Sequence, residues 1–383
     1  SHTLTWPDAV IWNGGSAPTL VGASGIYEGA AQVFNLVTSD GGSNWYGWEV
    51  VNNSAKKSFK LFSWGNGYNG QLGLNARTSY SSPKQVPGTN WHVLADSGSS
   101  VTYVGAAVKS DGTLWTFGNQ SEGGDYLGLL GDSSQTNRSS PIQIPGTTWT
   151  DVQKGYKSFY ARKTDGTLWA WGANDRATLG QNNKTNYSSP VQIPGTTWAG
   201  VAGGNECAGG VKTDGTLWMW GLNNDGQLGL NNKTAYSSPK QVPGTTWNSI
   251  SANGTQTIMA TKTDGTLWSW GRGDGGSLGQ NNEVKYSSPT QIPGTTWSSC
   301  GGGQSVFATK TDNTLWVWGA NGDGELGQNN TTQYSSPVQI PGTTWKQGIR
   351  SYYSTDNSSA AVKNDGTMWT WGNNGSGQLG LNN

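Results

Sequence analysis

The decapeptide KTDGTLWAWG, Lys163 to Gly172, is written into this chain repeatedly. It returns as KTDGTLWMWG from Lys212 and KTDGTLWSWG from Lys262. Looser copies are KSDGTLWTFG from Lys109, KTDNTLWVWG from Lys310 and KNDGTMWTWG from Lys363. The closing aromatic-glycine step falls at Trp64, Phe117, Trp171, Trp220, Trp270, Trp318 and Trp371, roughly fifty residues apart. A second marker, PGTTW or PGTNW, ends at Trp91, Trp149, Trp198, Trp247, Trp297 and Trp345. Such a period constrains the fold more than composition does. Each unit must be one supersecondary element that buries its apolar surface only against its neighbours.

One unit reads as four strands. Strand A starts at Trp149 (WTDVQKG), strand B ends in SFYARK, strand C is TLWAWG, and strand D is SSPVQIPG, Ser188 to Gly195. Asp165-Gly166 joins B to C and is expected to form a two-residue hairpin turn, which needs positive φ. In the sixth unit the turn is Asp312-Asn313, and Asn is the next most tolerant residue there. Pro190 and Pro194 place D at an outer edge, where a missing N–H faces no partner. No helical period appears. Seven four-stranded units predict an all-β fold, a seven-bladed β-propeller of four-stranded antiparallel blades. Blades bury both faces, so Leu168, Trp169 and Trp171 can all be apolar, and the tryptophans are expected to be scaffold. A buried indole hides about 150–250 Å², worth about 4–6 kcal/mol.

Composition narrows the function. Lys+Arg and Asp+Glu both number 23, so there is no basic stripe for nucleic acid and no charge block for a membrane surface. No apolar run reaches transmembrane length, no signal peptide opens the chain, and Ser1-His2 reads as a tag remnant. Gly (59) and Pro (14) make the chain turn-rich, while 22 Trp argue against disorder. Cys207 and Cys300 occupy different places in different units, so they are expected to be free and inert.

Units of the form AxKTDGTLWxWGxNxxGQLGxNN…SSPxQIPGTTW resemble the repeats of the regulator of chromosome condensation family. WGLNNDGQLGLNN (Trp220–Asn232) and WGNNGSGQLGLNN (Trp371–Asn383) match best. The resemblance runs from about Asn53 to Asn383 and implies a seven-bladed propeller. It leaves function open, because that fold hosts exchange factors, inhibitors, photoreceptors and adhesive modules. Many family repeats carry a His seven residues before the turn Asp. Here those places hold Val104, Ser158, Cys207, Thr257, Ser305 and Ser358. The Gly-Trp-Arg-His-Thr motif of the plant photoreceptor members and the basic tail of the nuclear exchange factor are both absent.

Residues 3–52 differ from the rest. LTWPDAVIWNGGSAPTL and VTSDGGSNWYGW resemble a segment of marine bacteriophage tail-fibre and virion proteins. The chain stops at GQLGLNN, where a seventh strand D would begin, so Thr3 to Trp12 is expected to fill that slot and close the ring. The stretch from Ala30 to Gly65 is expected to supply strands A, B and C of the first blade, with a turn at Asp40-Gly41-Gly42. This divides the chain into a tag remnant (1–2), a closing segment (3–52) and the seven-unit propeller (53–383).

Chemistry has little raw material. GNGYNG, Gly65 to Gly70, matches a dinucleotide fingerprint, but it is the local form of a repeated loop with no helix after it. His92 is the only histidine besides His2, which leaves no triad or His-metal cluster, and its place after Trp91 marks it as a packing or surface residue. Asp225, Asp274 and Asp323 lack the spaced acidic partners of a calcium loop. The RGD at Arg272–Asp274 and the Asn-x-Thr triplets at Asn183 and Asn232 are by-products of the repeat. No enzyme activity, metal or cofactor is implied.

Antiparallel alternation puts loops A–B and C–D on one face and turns B–C and D–A on the other. The second face is nearly identical in every unit; the first varies, through drift or through demands of a partner. Its candidate ligand-binding residues are Lys154, Tyr156, Lys157, Arg176, Arg350, Tyr352 and Tyr353. Aromatic-plus-polar loops on a rigid ring suit glycans or protein surfaces. The leading expectation is a binding module of a virion or other extracellular assembly that contacts a host-surface glycan or protein. The alternative is a protein-binding propeller acting as an inhibitor or guanine-nucleotide exchange factor.

Overall fold

The computed structural model describes residues 35–38, 44–51, 58–97, 103–122, 125–126, 128–252, 256–346, 358–374 and 379. It is an all-β propeller of four-stranded antiparallel blades. Unit three shows the pattern: strand A Trp149–Lys154, B Ser158–Lys163, C Leu168–Gly172 and D Tyr187–Ile193, hydrogen-bonded in that order. Unit two (from Trp91), unit four (from Trp198), unit five (from Trp247) and unit six (from Trp297) repeat it. Asn35–Thr38, Asn44–Val51, Ser58–Gly65 and Tyr80–Gln85 pair consecutively as the expected first blade, and the last unit shows Ser358–Val362 and Met368–Gly372. Strands A of units three to six adjoin one another at the centre, and strand D pairs only with C, at the rim. Residues 1–34 and 39–43 lie outside the described residues, and with them the closing segment and the Asp40-Gly41-Gly42 turn.

The B–C connection corrects the expected turn. Gly166 N–H donates to Lys163 O (3.0 Å) and Lys163 N–H donates to Thr167 O (3.0 Å). Only Gly166, at φ +77°, is left-handed; Asp165 is not. That is a three-residue loop, a type I turn followed by one left-handed residue. The cause is the Asp165 carboxylate, which accepts from both Thr167 N–H (2.9 Å) and Thr167 Oγ1 (2.7 Å) and thereby keeps Asp165 out of the left-handed region. Asn313, φ +64°, takes the glycine's place in unit six.

The same turn tethers a tryptophan. Thr167 Oγ1 accepts the indole N–H of Trp169 at 2.9 Å. Lys163 then lies between two indoles, its Nζ 4.5 Å from the Trp149 centroid and 4.2 Å from that of Trp169. Each lysine from Lys109 to Lys363 at this place is held in the same way, 4.1–5.1 Å from both rings. Cation–π contact contributes about 0.5–2 kcal/mol according to how far the charge is desolvated.

Asp165, Asp214, Asp264, Asp312 and Asp365 all titrate below the usual aspartate value, because a threonine hydroxyl and a threonine N–H donate to the charged form. A depressed folded pKa gives stability that is present above the unfolded value of about 3.9 and is lost as pH falls through the lower folded values. Thermal melts should therefore hold a plateau above about pH 5 and fall steadily below about pH 4. A melting temperature unchanged down to pH 2 would remove these turns as a source of stability.

The two tryptophans of strand C have different roles. Trp169 and Trp171 share one face of the strand, yet Trp171 is fully buried and Trp169 half-buried. The deeper indole reaches the preceding unit. Trp171 Nε1 donates to Leu129 O (3.1 Å), Trp220 to Thr178 O (2.6 Å), Trp270 to Gln227 O (3.0 Å), Trp318 to Ser277 O (2.9 Å) and Trp371 to Glu325 O (2.7 Å). These rings are the wedges between blades. Phe117, also fully buried, fills the place without the hydrogen bond.

Cys207 and Cys300 are free thiols, and burial pushes both up to about 12, where little thiolate forms. His92 stacks on Phe59 with ring centroids 6.3 Å apart.

Candidate functional site

Among the described residues, the antiparallel order places loops A–B and C–D at one end, as expected. In unit three the A–B loop is Gly155-Tyr156-Lys157. Gly155 N–H bonds to Ser158 O (2.8 Å), closing the loop, and Tyr156 N–H bonds to Gly204 O (3.1 Å), tying it to unit four. Two cations approach the Tyr156 ring: Lys157 Nζ lies 5.3 Å and the Arg176 guanidinium 5.5 Å from its centroid.

Arg176 organises the patch. It stands on the C–D loop of unit three, and its Nη1 reaches Asn205 Oδ1 (3.0 Å) and Glu206 Oε1 (3.1 Å) in unit four. Glu206 Oε2 in turn accepts from Gln256 Nε2 of unit five. Three blades are thus stitched by one polar chain on the variable face. The Arg176–Glu206 pair is partly exposed, so it contributes at most about 1 kcal/mol; what it supplies is a fixed geometry.

The loop that carries Arg176 departs from its copies. Units one, two, four, five and six have glycine at φ +65° to +80° (Gly70, Gly128, Gly226, Gly276, Gly324), whereas unit three has Ala177 at φ +59°. Thr178 stands where units one and four have Gln71 and Gln227, and its carbonyl accepts both Trp220 Nε1 (2.6 Å) and Tyr160 Oη (2.9 Å). Tyr160 is fully buried, which drives its phenol well above the ordinary value, so it stays a neutral donor. A left-handed alanine costs about 1–2 kcal/mol, partly offset by the lower entropy of the unfolded chain. Ala177→Gly is expected to raise stability by about 1 kcal/mol, read as a higher urea midpoint at unchanged slope; a lower midpoint would show that the loop is relaxed as built.

The sequence-predicted residues divide. Tyr156, Lys157 and Arg176 come together in this patch. Lys154 does not: it is 3 % exposed and its Nζ donates to Val104 O at 3.4 Å, so as the last residue of an innermost strand it supports unit two from inside. Arg350, Tyr352 and Tyr353 lie outside the described residues. Asn205, Glu206 and Gln256 join the patch without a clear sequence mark; the one signal for Glu206 is an acidic residue in an A–B loop one unit beyond an arginine that breaks the repeat.

Other motifs resolve locally. The RGD arginine and aspartate are paired with each other, Arg272 Nη2 to Asp274 Oδ2 at 2.6 Å, so the tripeptide is not splayed for a partner. Asp225 is bound by Lys285 Nζ at 2.6 Å. The amide of Asn183 is committed to Gln181 O and Tyr187 Oη, and that of Asn232 to Leu230 O, which makes both structural turn residues. Among the described residues no group of three metal-ligating side chains occurs, and no helix is long and apolar enough to cross a membrane.

The regulator of chromosome condensation (RCC1) repeat matches residues 60–104, 165–209, 214–258, 264–308 and 312–353, with a second form of the repeat at 354–378. Among solved structures, human WBSCR16 is similar at TM-score 0.66 and 19 % identity, covering 82 % of this chain and 84 % of that one. Prp20p from Saccharomyces cerevisiae is similar at TM-score 0.66 and 18 % identity, covering 89 % and 82 %. An X-linked retinitis pigmentosa GTPase regulator homolog from Caenorhabditis elegans is 37 % identical over 73 residues, 18 % of this chain and 5 % of that protein. Repeat, strand order and interblade indoles agree: the chain belongs to the RCC1 repeat family of β-propellers.

Proposed function

We propose that this propeller is a non-enzymatic protein-binding module, and that the Tyr156–Arg176–Glu206 patch is its contact surface. The observation that carries the reading is the chain of contacts Tyr156–Arg176–Glu206–Gln256, which joins three blades on the face where the units differ. A pre-ordered aromatic and guanidinium pair gives contact area and hydrogen bonds at low entropic cost, the composition of interface hot spots. The family supports a protein partner: yeast Prp20p is described in one structure with its binding to Gsp1p and histones and in another bound to Kap60. The virion-module reading rests on residues 3–52, of which 3–34, 39–43 and 52 lie outside the described residues.

The test is a titration of the immobilised chain with Gsp1p and with core histones, beside a Tyr156→Ala/Lys157→Ala/Arg176→Ala variant. Expected is binding by one of them that weakens at least about tenfold in the variant, since hot-spot truncations cost about 2 kcal/mol or more, with a near-unchanged melting temperature. Equal binding by both forms, or binding of neither probe, would sink the assignment.

A further inference from the structure

The face opposite the patch, built of B–C and D–A turns, shows an inverted pattern of variation. In units two to six Gln143, Gln192, Gln241, Gln291 and Gln339 are exposed, as Gln85 is in unit one, where it faces Phe62, and no hydrogen bond from the carboxamides of these five occurs among the described residues. The residue just before each varies freely: Ile142, Val191, Lys240, Thr290, Val338. An exposed side chain without a partner is where duplicated units are freest to diverge, so a fixed glutamine beside a variable neighbour marks a demand other than folding.

Each glutamine has a fixed companion. Gln192 stands directly across the ladder from Trp169, and the other four face the equivalent tryptophan in the same register. Opposite residues in an antiparallel pair hold their Cβ atoms about 5 Å apart, so a carboxamide lies beside each half-buried indole. That indole is already immobilised by Thr167 Oγ1 at its N–H and by Lys163 on its ring. One lysine ammonium and one aspartate carboxylate accompany each ring, so each site is neutral overall. The adjoining PGTT turn is exposed and strained: Thr197, Thr246 and Thr296 sit at φ +67°, +67° and +70°. Asn90 occupies the same place at φ +65° in the first copy, at lower steric cost. A β-branched residue held there at repeated cost again points away from folding alone.

We propose that this face is a second binding surface, made of five repeated subsites for neutral carbohydrate. A locked indole offers an apolar platform for the C–H face of a sugar. Glutamine and threonine both donate and accept, as sugar hydroxyls do. Charge cancellation within each subsite disfavours phosphate and nucleic acid. Fivefold repetition fits a ligand displayed in many copies, where avidity exceeds single-site affinity by about 10²–10⁴.

The full chain is to be applied to an array of immobilised neutral glycans, beside a variant carrying Gln→Ala at 143, 192, 241, 291 and 339. Expected is binding that falls at least about tenfold in that variant and persists in the Tyr156→Ala/Lys157→Ala/Arg176→Ala variant, which separates this surface from the protein-binding patch. A wild-type chain that binds no glycan overturns the proposal, as does undiminished binding by the glutamine variant. Should that variant fold poorly, titration of the wild-type chain with the bound oligosaccharide must shift indole emission; an unchanged spectrum overturns the proposal equally.

Discussion

Replacing Trp220 by alanine is expected to lower the unfolding free energy by about 3–5 kcal/mol, the usual range for deleting a buried aromatic from a packed core. Trp220 is fully buried: it packs with Tyr160, Leu168, Leu179 and Trp198 between units three and four. Its ring lies 6.0 Å from that of Trp198, in an edge-to-face arrangement. Alanine leaves a void that two rigid sheets cannot close. Trp220→Phe separates shape from hydrogen bonding. It should cost only about 1–2 kcal/mol, because Thr178 O keeps its bond from Tyr160 Oη and because Phe117 already fills the equivalent wedge in unit two. Urea unfolding followed by far-ultraviolet circular dichroism checks both. An alanine variant within 1 kcal/mol of wild type would mean that the wedge does not hold the blades together.

Gly229→Ala is expected to cost about 2–4 kcal/mol, the sum of left-handed strain and overpacking. Gly229 has φ +69°, and a Cβ there would lie 2.8 Å from Trp270 Nε1, the indole that wedges the next unit. Gly366 is the control. It is also left-handed, at φ +86°, but its Cβ would meet nothing within 4 Å. Gly366→Ala should therefore cost only the strain, about 1–2 kcal/mol. The difference between the two measures how tightly the loop of one blade presses on the tryptophan of the next. Equal losses would show that backbone conformation, not interblade packing, fixes this glycine.

The sequence was most legible where the physics is local. Asp-Gly and Asp-Asn announced a turn at the B–C junctions of units two to seven, because only a few residues accept a left-handed backbone. The loop length lay beyond the dipeptide, because it is set by the bond from Thr167 N–H to the Asp165 carboxylate. Proline in each strand D announced an edge, and the ladders end there. Lys154 shows the opposite case. A lysine in a loop-flanking position reads as surface, yet it ends an innermost strand and is buried against Val104.

Repetition and spacing by themselves determined the four-stranded unit, its order and the scaffold role of the aromatics, since a unit of fifty residues can bury its apolar residues only against copies of itself. Tertiary structure alone decided which of two neighbouring indoles is buried. Alternation puts Trp169 and Trp171 on the same side, but only the offset between adjacent blades sets their depth. It alone brought Arg176, Glu206 and Gln256 together from three units. Contacts between side chains thirty to fifty residues apart depend on how blades are rotated against one another, and a repeat period fixes that units touch without fixing which side chains meet.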